Sequence, residues 1–159
     1  MYWISAGNIN AITYTGETYE KSYTVYNSVT SSCLYAAKES NVSNIYLLSL
    51  EESSASAASI TLPQSLVIQH MTSAGPYAYV SGYKSSNTDT TYTIAIDLRN
   101  NQTISLSVPG YLTSSVADGT RLIASTSTNA LVVIECEQVL TIEGVEVSGV
   151  YSSDGNILC

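Results

Sequence analysis

Two stretches of this chain lie naturally one over the other: SLVIQHMTSAGPYAYVSG, residues 65–82, and GYLTSSVADGTRLIASTS, residues 110–127. Each contains an apolar–polar alternating run, a turn ending in glycine, a second run and a small polar loop. The two turn glycines, Gly75 and Gly119, are 44 residues apart. The match continues downstream, where TYTIAIDLRNNQTISLSVPG (91–110) and NALVVIECEQVLTIEGVEV (129–147) are each a β-branched run, a short polar turn and a second run. A fixed period of this length means one supersecondary unit used repeatedly, which no unit can satisfy alone because its apolar faces need neighbours.

The unit is made of strands. Its runs alternate with period two, helix-period patterns are absent, and Tyr, Thr, Val and Ile suit a half-buried pleated surface. The chain carries 13 Tyr, one Trp and no Phe, so tyrosine bears much of the apolar load. Four strands per unit are predicted at 66–72, 77–82, 92–98 and 103–108, and again at 111–116, 122–125, 130–135 and 139–142. An earlier unit is read at 23–29, 33–37, 45–50 and 59–62, with SLEESSASAAS (49–59) as a connecting loop because its Ser and Ala form no apolar stripe.

Two half-units remain. VSGVYSSDGNILC at the C-terminus supplies a first strand, a DG turn and a second strand, with Asp154-Gly155 aligning on Asp118-Gly119. MYWISAGNINAITYTG at the N-terminus supplies two strands about Gly7-Asn8 that fit the missing third and fourth. The termini are thus expected to complete a fourth unit.

The order of strand, DG or AG turn, strand, small loop, VxVID-like strand, NN turn, strand and PG is clearest in YVSGYKSSNTDTTYTIAIDLRNNQTISLSVPG (79–110). It resembles the blades of YVTN-type surface-layer propellers and, more distantly, WD-type repeats, although the Trp-Asp and Gly-His signatures of the latter are missing. The resemblance implies an all-β chain forming one small β-propeller of about four four-stranded blades, at 23–62, 66–108, 111–142, and 143–159 with 1–16. Four blades are the low end for such rings, so two chains sharing a larger ring is an alternative; a β-sandwich is the fallback architecture.

Composition narrows the function. Charged residues are 11% of the chain, against about 25% in ordinary globular domains, and 13 acidic residues face 5 basic ones for a formal charge of −8. Lys21, Lys38, Lys84, Arg99 and Arg121 are scattered singly, which argues against nucleic-acid binding. No run is long enough to span a membrane, and MYWISAG lacks the features of a secretory signal. A Ser, Thr, Tyr and Asn surface suits an extracellular surface or a virus particle better than the cytoplasm. Cys33, Cys136 and Cys159 allow at most one internal disulfide, and their spacing fits no zinc pattern. No cofactor is expected.

Candidate site residues are few. His70, the one histidine, falls in a first strand, which lines the axis in a propeller; it is an acid–base candidate, against the plainer reading of a structural or channel-lining histidine. The stretch IECEQVLTIEGVEV holds Glu135, Glu137, Glu143 and Glu146; alternation puts Glu135 and Glu137 on one face, where they could hold a hard cation or raise each other's pKa, but carboxylates on a solvated hairpin are the plainer reading because the loop spacing of a calcium site is absent. Tyr77, Tyr79, Tyr83, Tyr92 and Tyr111 could stack on sugars or contact a protein, against the alternative of packing between units. Asn41-Val42-Ser43 and Asn101-Gln102-Thr103 are glycosylation sequons, both placed in loops or turns. The expected function is a non-enzymatic structural or binding module with a protein or glycan partner, with homo-oligomerisation an option; the alternative is a small hydrolase or lyase with an axial site around His70.

Overall fold

The structure, a computed structural model, describes residues 2–5, 8–11, 22–27, 32–37, 41–49, 57–153 and 156–158. The chain is all-β, with no helix among the described residues. In chain order the strands are β1 (Tyr2–Ser5), β2 (Asn8–Ala11), β3 (Ser22–Asn27), β4 (Ser32–Ala37), β5 (Asn41–Ser49), β6 (Ala57–Ala74), β7 (Tyr77–Lys84) and β8 (Asn87–Asp97). They continue as β9 (Gln102–Leu106), β10 (Leu112–Asp118), β11 (Arg121–Thr126), β12 (Ala130–Glu135), β13 (Gln138–Glu146), β14 (Tyr151–Ser153) and β15 (Asn156–Leu158). Every strand expected from the repeat has a counterpart.

Each strand pairs antiparallel with its chain neighbour, as short turns require. β3 to β9 form one seven-stranded sheet curled into a half-barrel, β10 to β13 a four-stranded sheet, and β1–β2 and β14–β15 two separate hairpins. The turn chemistry is that of the sequence. Gly75 (φ 55°) and Gly119 (φ 62°) take the left-handed conformation at equivalent tight turns, and Asn101 (φ 61°) does so between β8 and β9. The turn at Asp154-Gly155 lies outside the described residues.

The expected break between the first and second units is absent. β6 runs for 18 residues, pairing along its first half with β5 and along its second with β7. Pro63, which reads as a strand breaker, is accommodated at a bulge: the β5–β6 register jumps between Val42 and Asn44, so residues 62–65 have no ladder partner and the missing N–H costs nothing. Ser43 Oγ and Ser65 Oγ close this bulge at 2.5 Å. One chain segment therefore serves as last strand of the first unit and first strand of the second. The hairpins β1–β2 and β14–β15 also differ from expectation, since no ladder joins them among the described residues.

Packing is face to face. Ile45, Ile60 and Leu62 of the first unit meet Ala78, Val80, Ile94 and Ile96 of the second in one core. The opposite face of that same second unit, with Tyr77, Tyr79, Ala95 and Leu106, meets Leu122, Ala124, Val132 and Ile134 of the third. β7 is consequently buried at six successive residues and β8 at its last five, the pattern of strands covered on both faces. β12 instead alternates, and β13 is mostly exposed. The middle unit is the filling of a three-layer stack. Each fully buried Ile or Leu in it contributes about 1.5–3 kcal/mol.

The first strands of the units form a column: β6 lies between β3 and β10, and β10 between β6 and β14. Among the described residues, hydrogen bonds fasten the second unit to the third. The Leu112 N–H donates to Ser81 Oγ at 2.9 Å, the Tyr79 hydroxyl donates to the Cys136 carbonyl at 3.2 Å, and His70 Nε2 meets Ser115 Oγ at 2.9 Å.

Candidate functional site

The sequence candidates divide between the interior and the surface. His70 follows the β6–β7 register shift and faces β10, where Ser115 bonds it across the junction. Burial strips the imidazolium of water and lowers its pKa from 6.5 to about 4, so the ring is neutral at neutral pH. Tyr79 is wholly buried, and Tyr77 is buried beside it with ring centroids 6.5 Å apart. Burial also raises the Tyr79 hydroxyl well above its ordinary pKa. These two rings are inter-unit packing.

A charged group clips the end of the same junction. Arg99 Nε and Nη2 donate to the two carboxylate oxygens of Asp97 at 2.8 and 2.7 Å, and Nη2 also reaches the Tyr77 hydroxyl at 3.2 Å. The guanidinium carbon lies 5.5 Å from the Tyr77 ring centroid. The Arg99 hydrogen bonds hold the Asp97 carboxyl below its ordinary pKa. The sequence reading passed over this trio; its trace was the Asp-Leu-Arg spacing just before the NN turn, where an Asp side chain caps backbone N–H groups two residues on.

Tyr83 and Tyr111 behave differently from the buried pair. Their rings meet at 5.9 Å and 53°, bridging the end of β7 and the residue just before β10, and both residues are half-buried. Tyr92 is also half-buried, packed against the first core. The neighbouring turn is held by the Tyr111 N–H donating to Ser127 Oγ and the Ser127 N–H donating to the Tyr111 carbonyl. Two aromatic faces, one on a strand end and one on the segment held by Ser127, make an amphipathic ledge suited to a sugar ring or a peptide.

A second surface was not foreseen. The outer face of β11 to β13 carries a hollow of about 480 Å³ lined by Arg121, Val133, Glu135, Gln138, Val139 and Leu140. Arg121 Nε lies 3.8 Å from Glu135 Oε2, and the Thr120 hydroxyl donates to Glu135 Oε1 at 3.4 Å. Its apolar floor is well exposed, Leu140 at 61%. Glu135 is thus held by Arg121 and Thr120, while Glu137, Glu143 and Glu146 stand on exposed hairpin positions. Among the described residues no three His, Cys, Asp or Glu side chains converge as metal ligands do.

The sequons separate. Asn101 sits exposed in the β8–β9 turn, whereas Asn41 begins β5 and pairs with Val67, so that sequon lies in a strand and not in a loop. Among the described residues no helix is long and apolar enough to cross a membrane. No protein-family model matches this chain, and no curated protein matches its sequence.

Proposed function

We propose that the chain is a non-enzymatic structural or binding module, a propeller-type ring of about four repeat units akin to YVTN or WD-like blades, with the last unit completed by the two termini. It acts on an extracellular surface or virus particle and holds a protein or glycan through its tyrosine-bearing turns. The observation carrying this reading is the Tyr83–Tyr111 ledge, an aromatic pair left half-buried where the end of β7 meets the segment before β10, whereas Tyr77 and Tyr79 are spent on packing between units. Low charge and abundant hydroxyls favour the same setting. An array of surface glycans and peptides tests it: the chain should bind a subset, and Tyr83→Ala with Tyr111→Ala should abolish that binding while the circular-dichroism spectrum stays unchanged. Retained binding in the double variant would overturn the role of the ledge.

One observation favours a second reading, a hydrolase with Ser115 as nucleophile and His70 as base: their 2.9 Å contact. Turnover of an ester substrate that disappears in both His70→Ala and Ser115→Ala would select it over the binding module.

A further inference from the structure

The repeat register identifies which face of the third unit awaits a neighbour. In the second unit the rows Tyr77–Asp97–Gln102 and Tyr79–Ala95–Ile104 run across β7, β8 and β9. In the third unit the same ladder positions are held by Arg121–Glu135–Gln138 and Ile123–Val133–Leu140 across β11, β12 and β13. The first set is the face on which the third unit docks. The second set is the outer face with the hollow. Units thus stack head to tail, each offering its successor the same face, and the third unit's copy of that face is only half occupied.

The occupied half shows how a successor begins. Val150, 2% exposed, donates its N–H to Ser114 Oγ at 2.7 Å, and Ser114 Oγ contacts Ser125 Oγ at 2.8 Å. The preceding junction also has a backbone N–H on a serine hydroxyl, there on the second strand: buried Leu112 donates its N–H to Ser81 Oγ, itself 2.7 Å from Thr93 Oγ1. β14 then packs on β10 as β10 packs on β6. The hairpin β14–β15 supplies two strands over this end; among the described residues no other two lie above Val133, Leu140 and Ile142. The chain holds such a pair in β1–β2, but that hairpin packs beside β3, at the opposite end of the strand column. Two-stranded hairpins are marginal by themselves.

We propose that β14–β15 of one copy and β1–β2 of a second copy join into one four-stranded unit, which covers the hollow at Val133 and Leu140 and links copies head to tail. This rests on the reading that the termini complete a fourth unit, and adds that they come from different chains. The contact is heterologous, so successive copies close into a ring or extend as a filament. The strand residues of β1–β2, YWIS and NINA, carry no charge, which suits docking of an acidic chain on a second copy of itself.

The test is a cysteine scan. In a Cys33→Ser, Cys136→Asn background that keeps Cys159, each of Tyr2, Trp3, Ile4 and Ser5 is changed in turn to Cys and the chain is oxidised. Covalent dimers and longer ladders are expected at one or more positions, with light scattering of the unmodified chain giving a mass of at least twice 16.9 kDa at micromolar concentration. Leu140→Lys, at an exposed position, should return that mass to a monomer without changing the circular-dichroism spectrum. Cross-links confined within single chains, in a monomer at all concentrations, would overturn the exchange between copies and leave the completed fourth unit standing. No cross-link at any of the four positions would overturn both.

Discussion

His70 gives the sharpest handle on the junction between the second and third units. Its imidazole is neutral in the folded chain because burial lowers its pKa to about 4, against 6.5 for an unhindered histidine. Between these values the unfolded chain binds a proton that the folded chain refuses, so stability rises with pH across this window. The contribution is fully present above pH 6.5, is lost progressively as pH falls towards about 4, and levels off below. Near pH 5 the slope from this one group approaches about 1.4 kcal/mol per pH unit, and the whole window amounts to about 3 kcal/mol. Replacing His70 by Gln keeps a polar partner for Ser115 and removes the titration. Urea unfolding of both proteins at pH 7.5, 6.0, 5.0 and 4.5 isolates the term as the difference in how steeply stability falls. The wild-type chain should lose about 2–3 kcal/mol more than His70→Gln between pH 7.5 and 4.5. Parallel pH profiles would refute the placement of His70 in a dry contact with β10. The Asp97 carboxylate does not confuse the result, because its pKa is held below the ordinary carboxylate value and it titrates under this window.

Further predictions follow from the same packing. Ile134→Ala, in the core between second and third units, should cost about 2–5 kcal/mol by urea unfolding, whereas Leu140→Ala on the open face should stay within about 0.5 kcal/mol in dilute solution. Ser81→Ala should cost about 1–3 kcal/mol, since it leaves the buried Leu112 N–H without its acceptor. Gly82→Ala places a Cβ 2.2 Å from the Val67 carbonyl oxygen, a backbone atom, and should destabilise by about 1–3 kcal/mol and shift the β6–β7 amide resonances. Gly119→Ala meets nothing within 4 Å, so its cost should be only the left-handed backbone, about 1–2 kcal/mol, with no shift in neighbouring strands.

Strand positions were legible because period-two alternation and turn glycines are local signals, and the structure places strands where both occur. The continuity of β6 was not, since a proline inside an alternating run reads as a stop unless a bulge in its own strand excuses its missing N–H, and that bulge is a property of the pair. The roles of the tyrosines were undecidable for a related reason. Tyr77 and Tyr83 are both strand residues, yet one lies under the third unit and the other at the rim of its junction. The hollow on the outer face escaped because its residues, Val133, Leu140 and Arg121, become one surface only through the ladder register. That register also makes the equivalence of Ala95 with Val133 visible, a match between a buried and an open position that no local pattern expresses.

The second unit is sandwiched between its neighbours while the third has an open face. Residue-resolved amide exchange on the intact chain at a concentration that keeps it monomeric measures this directly. β7 and β8 should exchange slowest of all strands, at rates set by global unfolding, and β13 should exchange at least a hundredfold faster because its edge and outer face meet solvent. Exchange in β7 and β8 as fast as in β13 would contradict the stacked arrangement.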